Sequence, residues 1–167
     1  MRKCLALSLA LLLLAAALAE TDAFTFRNSI CWGMTQEEVL AAEGDPDTET
    51  DREDGLDILR IPEAIHEEAP CRLEYLFFNG ALVMARADYD MDSADATLEG
   101  LKDRLSSRYG EATTLTTEQL GELTLDENPA DSFYGWVLDS ETLVCLTEHR
   151  SEQTIRILYS QIIETDA

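Results

Sequence analysis

Four acidic residues near the middle of the chain have the spacing of a calcium-binding loop. The first, third, fifth and twelfth positions of an EF-hand-type loop match Asp88, Asp90, Asp92 and Glu99. Three alternating carboxylates and a bidentate glutamate can together surround a hard cation. The sixth position, however, is Ser93, where the sharp turn of such a loop needs glycine. We therefore favour a second interpretation, in which a strand ends and an Asp/Ser cap starts a helix, and we assign no metal ligand and no cofactor.

The two histidines lack the neighbours that the common catalytic sites require. His66 has no second histidine at the spacing of a zinc-protease helix, and His149 lies at the end of a predicted strand. The sequence also contains neither a Gly-x-Ser-x-Gly nucleophile turn nor a glycine-rich phosphate loop. We expect both histidines at partly exposed positions and assign no catalytic residue. The alternative is a secreted hydrolase that uses a carboxylate pair, because 34 acidic residues provide many such pairs.

The N-terminus has the features of a secretory signal peptide. Two basic residues precede an almost wholly apolar run over residues 4–18, and residues 17–19 (Ala-Leu-Ala) match the small-x-small cleavage pattern. We predict a signal peptide over residues 1–19 and a mature chain over 20–167 that is secreted, periplasmic or associated with the cell envelope. The alternative is an N-terminal anchor helix, for which the apolar run is short. No membrane span is expected after cleavage.

The charge of the mature chain restricts the class of partner. Residues 20–167 contain ten basic and 34 acidic residues, which gives a formal net charge of −24. Such a chain repels nucleic-acid phosphates and anionic lipid surfaces. We expect the partner to be another protein or a component of the cell envelope. The charge itself is explained first by solubility, and the alternative is a cationic or calcium ligand.

Three cysteines remain after the predicted cleavage, and the oxidising environment of an exported protein permits disulfide bonds between them. Cys31 precedes the first predicted helix and Cys71 precedes a predicted strand, so we predict a disulfide between these two. Cys145 lies inside an apolar strand pattern, which is typical of a small buried side chain.

The first helix has a clear start signal. Thr35 and Glu38 form the Thr-x-x-Glu pattern of a capping box, which predicts a helix over residues 36–43. Gly44 is expected to end this helix in a left-handed conformation.

The second helix is predicted from the spacing of its apolar residues. We expect Asp92 or Ser93 to cap it and Gly110 to end it, and a third, short helix is predicted over residues 116–123. In the second helix, the acidic residues come early and the basic residues late, which matches the helix dipole. The apolar positions recur every three or four residues at Ala94, Leu98, Leu101, Leu105 and Tyr109.

The strands are predicted from alternating and β-branched runs. Asn79-Gly80 is the signature of a type I′ turn and predicts a hairpin of residues 72–78 and 81–90. Regular pairing across this turn places Leu82 and Met84 on one face, and Ala85, Ala87 and Tyr89 on the other. Residues 45–55 are predicted as an acidic loop and 63–69 as a helical turn or loop. The remaining strands are predicted at 56–61, 132–139, 142–149 and 154–162.

These elements predict an α+β fold with antiparallel β meanders and two main helices packed on one face. Residues 20–167 form either one compact domain or two fused half-units, 24–90 and 92–162, each with a helix followed by three strands. The aromatic residues alternate along the strands, which favours core packing over a binding platform. This set comprises Phe26, Trp32, Tyr75, Phe77, Phe133, Tyr134, Trp136 and Tyr159.

Residues 32–39 (Trp-Gly-Met-Thr-Gln-Glu-Glu-Val) resemble the opening of the small lipoprotein domain of the bacterial outer-membrane β-barrel assembly machinery, which is similar to the repeat unit of β-lactamase inhibitory proteins. Tyr109-Gly110 resembles the helix end of related exported domains. The resemblance implies a small helical unit on an antiparallel sheet that serves as a protein-binding scaffold. We therefore expect an exported, non-catalytic interaction module; the alternatives are the carboxylate-dependent hydrolase and a calcium-dependent binding protein.

Overall fold

The computed structural model describes residues 24–113, 130–138 and 141–162. The predicted signal peptide (1–19) and the predicted short helix (116–123) lie outside these residues. No helix in the described ranges is long and apolar enough to cross a membrane. The described part is an α+β fold whose elements are α1 (Gln36–Glu43), β1 (Glu49–Glu53), β2 (Leu56–His66), β3 (Ala69–Phe78), β4 (Ala81–Asp90), α2 (Leu98–Tyr109), β5 (Ser132–Val137), β6 (Thr142–His149) and β7 (Thr154–Gln161).

All described strands belong to one antiparallel seven-stranded sheet in the order β1-β2-β3-β4-β7-β6-β5. The first four strands follow each other as a meander. After α2 the chain resumes at the opposite edge as β5, and β6 and β7 return towards the centre. The pairing of β4 with β7 is therefore the only strand pairing in the described sheet that joins the two meanders.

One face of the sheet forms the main hydrophobic core. The buried side chains of the helices, Val39 of α1 and Leu101 and Leu105 of α2, belong to the same core cluster as this face. The helices therefore share their core with the sheet, where burial of apolar surface is the main stabilising contribution. In direct register across six strands lie the buried residues Leu59, Tyr75, Ala85, Tyr159, Val144 and Trp136.

The predicted hairpin is confirmed, but the predicted faces of β4 are wrong after Leu82. Asn79 and Gly80 both have positive φ (51° and 81°), as a type I′ turn requires. The register then changes from Phe77↔Leu82 to Leu76↔Met84, so β4 contains one extra residue. Because side chains alternate along a strand, this bulge turns the rest of β4 over. The core face therefore carries Tyr75, Phe77, Leu82, Ala85, Ala87 and Tyr89 together.

The capping box that starts α1 is confirmed. The Thr35 amide donates to Glu38 Oε2 at 2.8 Å, and the Glu38 amide donates to Thr35 Oγ1 at 3.4 Å. Gly44 ends the helix with φ 80°, in the left-handed region.

Residues 32–34 attach this helix start to the sheet. Trp32 Nε1 donates to Thr142 Oγ1 at 3.0 Å. The amide of Gly33 donates to the carbonyl of Leu82 at 3.0 Å, and the amide of Leu82 donates to the carbonyl of Met34 at 2.8 Å. The segment is thus hydrogen-bonded to the first residues of β4 and β6.

The second helix begins later than predicted. Thr97 is its N-cap and accepts from the amide of Gly100, whereas a cap at Asp92 or Ser93 was predicted. The residues between β4 and Thr97 form hydrogen-bonded turns and not a helix start. Ser93 N donates to Asp90 O at 3.0 Å, and Ala96 N donates to Ser93 O at 3.3 Å. The helix ends at Tyr109 with Gly110 as its cap, as predicted.

Two segments predicted as loops are strands. Residues 45–55 contain β1, whose five residues are all exposed and pair only with β2. Charged side chains are frequent on edge strands because they oppose pairing with another chain. Residues 63–66, predicted as a helical turn or loop, continue β2 past a register shift between Ile61 and Ala64. This bulge accommodates Pro62, which has no N–H for a regular ladder.

Thr35→Ala is expected to lower the free energy of unfolding by about 1 kcal/mol, because it removes the side-chain acceptor of the capping box. Chemical denaturation of the mature chain measures this difference. Thr48→Ala, at an exposed position before β1, is the control and should change stability by less than about 0.5 kcal/mol. Equal effects of the two substitutions would contradict the role of the box.

Candidate functional site

Asp88 occupies the junction between the two meanders and is engaged by three arginines. Its side chain is 4% exposed. Arg156 of β7 donates from Nε to Oδ1 at 2.7 Å and from Nη2 to Oδ2 at 3.3 Å. Arg72 of β3 donates to Oδ2 at 3.0 Å, and Nε of Arg86 lies 3.6 Å from the same oxygen. The Asp88 carboxylate therefore connects β3, β4 and β7.

Arg72, Asp88 and Arg156 form one row of alternating charges across the sheet. A second such row lies beside it. Arg60, Glu74 and Arg86 are direct neighbours on β2, β3 and β4. Arg60 Nε donates to Glu74 Oε1 at 2.9 Å, and Arg86 forms an ion pair with the other carboxylate oxygen of Glu74. The Glu74 side chain is 6% exposed. We call the two rows the ion-pair ladder, which consists of Arg60, Arg72, Glu74, Arg86, Asp88 and Arg156.

The ladder keeps the Asp88 carboxylate ionised. Burial alone would raise the pKa of Asp88, but the hydrogen bond from Arg156 and the charges of Arg156 and Arg86 lower it below its ordinary value. A buried ion needs such partners, because an unpaired charge in the interior is strongly destabilising. Asp88 is thus a structural anion of the sheet.

The four residues with calcium-loop spacing are not brought together as a cage. Asp88 is engaged by the ladder, and Asp90 Oδ1 accepts from the Asp92 amide at 3.2 Å. Glu99 lies in the first turn of α2, where its carboxylate is 3.6 Å from Lys102 Nζ. In the described part of the chain there is no group of three or more metal-ligating side chains.

Both histidines are buried, so their predicted partial exposure is wrong. His66 is 6% exposed and His149 is 4% exposed. His66 is buried because β2 continues to this residue, where Phe26 covers the imidazole at a centroid distance of 4.7 Å. Its Nε2 lies 3.0 Å from the hydroxyl of Tyr159. Burial, with the nearby charges of Arg27 and Arg108, lowers the pKa of His66 to about 3, and the imidazole is neutral at physiological pH.

The turn after His66 contains a buried carboxylate that the sequence analysis missed. Glu67 and Glu68 both adopt left-handed conformations, with φ 48° and 61°. Glutamate seldom occupies this region, and such backbone strain persists where other contacts stabilise it. Here Arg108 of α2 donates to both Glu67 oxygens, at 2.5 and 3.3 Å, and the Glu67 side chain is 3% exposed. The turn is thereby attached to α2.

A fourth buried carboxylate, that of Glu43, holds the N-terminal residues. Glu43 is the last residue of α1, where the helix dipole disfavours an anion. Three donors compensate: Arg27 Nε lies 3.1 Å from Oε1, Asn28 donates to Oε2 at 3.1 Å, and the hydroxyl of Tyr75 donates to Oε1. Glu43 thus joins the N-terminal arm, which we define as residues 24–31, to α1 and β3.

The predicted Cys31–Cys71 disulfide is wrong, because both residues are free thiols. Gly33, two residues after Cys31, bonds to Leu82, whereas Arg72, next to Cys71, pairs with Asp88. Six residues of β4 separate those anchors by about 20 Å, which leaves roughly 10 Å or more between the cysteines. A disulfide requires Cα atoms within about 7 Å.

The remaining buried thiol and the aromatic residues belong to the interior, as predicted. Cys145 is 2% exposed. Burial raises the pKa of the Cys145 thiol to about 12, which makes it unreactive at neutral pH. Fully buried or packed against one of the two hydrophobic clusters are Phe26, Trp32, Tyr75, Phe77, Phe133, Tyr134, Trp136 and Tyr159.

The chain matches no family model, no curated protein and no solved structure. Hydrogen bonds lower the pKa of Asp51 and of Glu38, and the ladder lowers the pKa of Asp88. A general acid needs a raised pKa, so these carboxyl groups are perturbed in the direction that favours ion pairing and capping.

The burial of His66 predicts a pH-dependent stability. The folded pKa of His66 is about 3 against an ordinary value of 6.5, so between these pH values the unfolded chain binds a proton that the folded chain does not. Stability is therefore complete above pH 6.5 and decreases as the pH falls towards 3, by at most about 1.4 kcal/mol per pH unit. We expect His66→Gln to remove this slope between pH 5 and 6.5 in urea denaturation.

Tyr159→Phe is the control for this experiment, because it removes the hydrogen bond to His66 but leaves the imidazole buried. It should lower stability at every pH and retain the slope. A slope that His66→Gln leaves unchanged would show that another group produces the pH dependence.

Proposed function

We propose that the protein is an exported, non-catalytic binding module whose partner is cationic, either another protein or a component of the cell envelope. The observation that carries this proposal is that every basic side chain of residues 20–167 is already engaged within the fold. The surface that remains for a partner is therefore anionic.

The engagement of the basic residues is specific. Arg104 donates to the backbone carbonyls of Gly100 and Asp95, at 3.3 and 2.6 Å. The other nine basic residues form ion pairs with carboxylates; they are Arg27, Arg52, Arg60, Arg72, Arg86, Lys102, Arg108, Arg150 and Arg156.

Ten cations cannot neutralise 34 acidic residues, and most of these cations lie on the sheet or at its turns. Exposed acidic residues extend to the sheet edge, where β1 (Glu49–Glu53) contains three acids and one arginine. An anionic surface of this kind accelerates encounters with cationic partners and opposes binding of nucleic acid. The chemistry that the surface can recognise is therefore that of lysine and arginine side chains.

The finer architecture that we propose agrees with a binding scaffold. Both helices pack on the same face of the sheet, which is supported by the shared core cluster of Val39, Leu101 and Leu105. The two half-units, 24–90 and 92–162, each begin with a helix, although four strands follow α1 and three follow α2 in the described residues. The resemblance of residues 32–39 to protein-binding scaffold domains supports the same class of function.

Affinity capture tests the proposal, with residues 20–167 immobilised and exposed to the secreted and envelope fractions of the source organism. We expect a basic partner that binds at about 50 mM salt and loses at least tenfold in affinity by about 300 mM, because exposed charges are screened over about 10 Å at 0.1 M. An unrelated exported protein near neutral charge serves as the control bait. Salt-independent binding, or turnover of a glycan panel by the mature chain, would contradict the proposal.

A further inference from the structure

The face of the sheet that carries the ion-pair ladder also contains a groove of about 910 Å³. Arg72 and Asp88 lie in its floor, and its two walls are formed by residues 62–65 and 152–154. The groove therefore lies beside the junction of β4 with β7 and at the far end of the sheet from the Asn79-Gly80 turn.

The bulge in β2 explains the apolar wall. The register shift between Ile61 and Ala64 takes Pro62 and Glu63 out of the ladder of β2 with β3. Bulges of this kind redirect side chains and often occur beside functional sites. Ile65, which pairs with Pro70, is 61% exposed and is among the most exposed large apolar side chains of the described residues.

The charges around the groove are unequal. In the floor, Asp88 pairs with Arg156 and Arg72, and the lining residue Glu152 lies 3.6 Å from Arg156, so these charges compensate one another. Glu63 and Asp90 are both exposed lining residues, and neither forms an ion pair with a cation of the described chain. The groove thus presents an apolar wall and two exposed carboxylates without a cationic partner in the described residues, at about two strand spacings, or roughly 10 Å, from each other.

We propose that this groove binds a basic segment of a partner protein in which an apolar side chain stands between lysine or arginine residues. The apolar side chain contacts Ile65 and Pro70, while the flanking cations approach Glu63 and Asp90. In an extended segment the two flanking cations lie about 7 Å apart on one side and the apolar side chain points to the other, and the length of the lysine or arginine side chains covers the remaining distance to the carboxylates. This inference rests on the proposed function and names the surface that performs it.

A short synthetic peptide with the repeat Gly-Lys-Leu-Lys, labelled for fluorescence anisotropy, tests the groove on the mature chain. We expect it to bind more tightly than the matching Gly-Glu-Leu-Glu peptide and to shift the NMR amide signals of residues 62–65, 70–72 and 88–90. Glu63→Gln with Asp90→Asn should weaken binding by about tenfold, since two exposed charge contacts are lost. Ile65→Ser should weaken it by a similar factor.

The matched control is Glu49→Gln with Glu53→Gln, which removes the same charge from the exposed strand β1. It should change the affinity by less than about twofold. Equal weakening by both pairs, with signal shifts outside the groove, would overturn the groove as the binding surface. Failure of the Gly-Lys-Leu-Lys peptide to bind, while the capture experiment retains a salt-sensitive basic partner, would overturn the groove alone. Absence of any cationic partner would contradict the proposed function.

Discussion

The ion pair between Asp88 and Arg156 is the interaction on which the rest of the sheet depends. These residues are 68 positions apart in sequence and directly opposite on β4 and β7, the pairing that joins the two meanders. Because both side chains are nearly buried, with 4% and 9% exposed, each needs the other to compensate for the loss of hydration. This pair therefore favours the observed register of the junction, at which the two meanders form one sheet.

The same electrostatic arrangement connects the fold with the proposed function. Buried carboxylates recur wherever separate elements meet: Glu74 and Asp88 between strands, Glu67 between a turn and α2, and Glu43 between the N-terminal arm and α1. Each recruits an arginine, and so the few cations of the chain become structural. Because the cations are used in these ion pairs, the surface is left with an excess of acidic side chains. In the proposed function, a partner that supplies lysine or arginine side chains would complete the charge balance.

The sequence predicted the features of the fold that depend on interactions between neighbouring residues. The capping box at Thr35, the Asn79-Gly80 turn and the strands of the last third all depend on neighbouring residues, and the structure confirms them. The errors have non-local causes. Strand β1 has a composition typical of a loop and exists through its pairing with β2, while one extra residue in β4 reverses the face of every later side chain. Sequence spacing suggested a calcium loop at Asp88, but its partner Arg156 is remote in the chain. The left-handed conformation of Glu67 has no local signal.

A double-mutant cycle on Asp88 and Arg156 tests whether a buried ion pair, and not metal ligation or catalysis, determines the role of these two residues. We expect Asp88→Asn and Arg156→Met each to lower the free energy of unfolding by about 3 kcal/mol, because each removes the closest counter-ion of a nearly buried charge. The double variant should then lose at least about 1.5 kcal/mol less than the sum of the two. Strictly additive losses, or a stabilisation of the native protein by calcium that Asp88→Asn abolishes, would contradict this role of the pair.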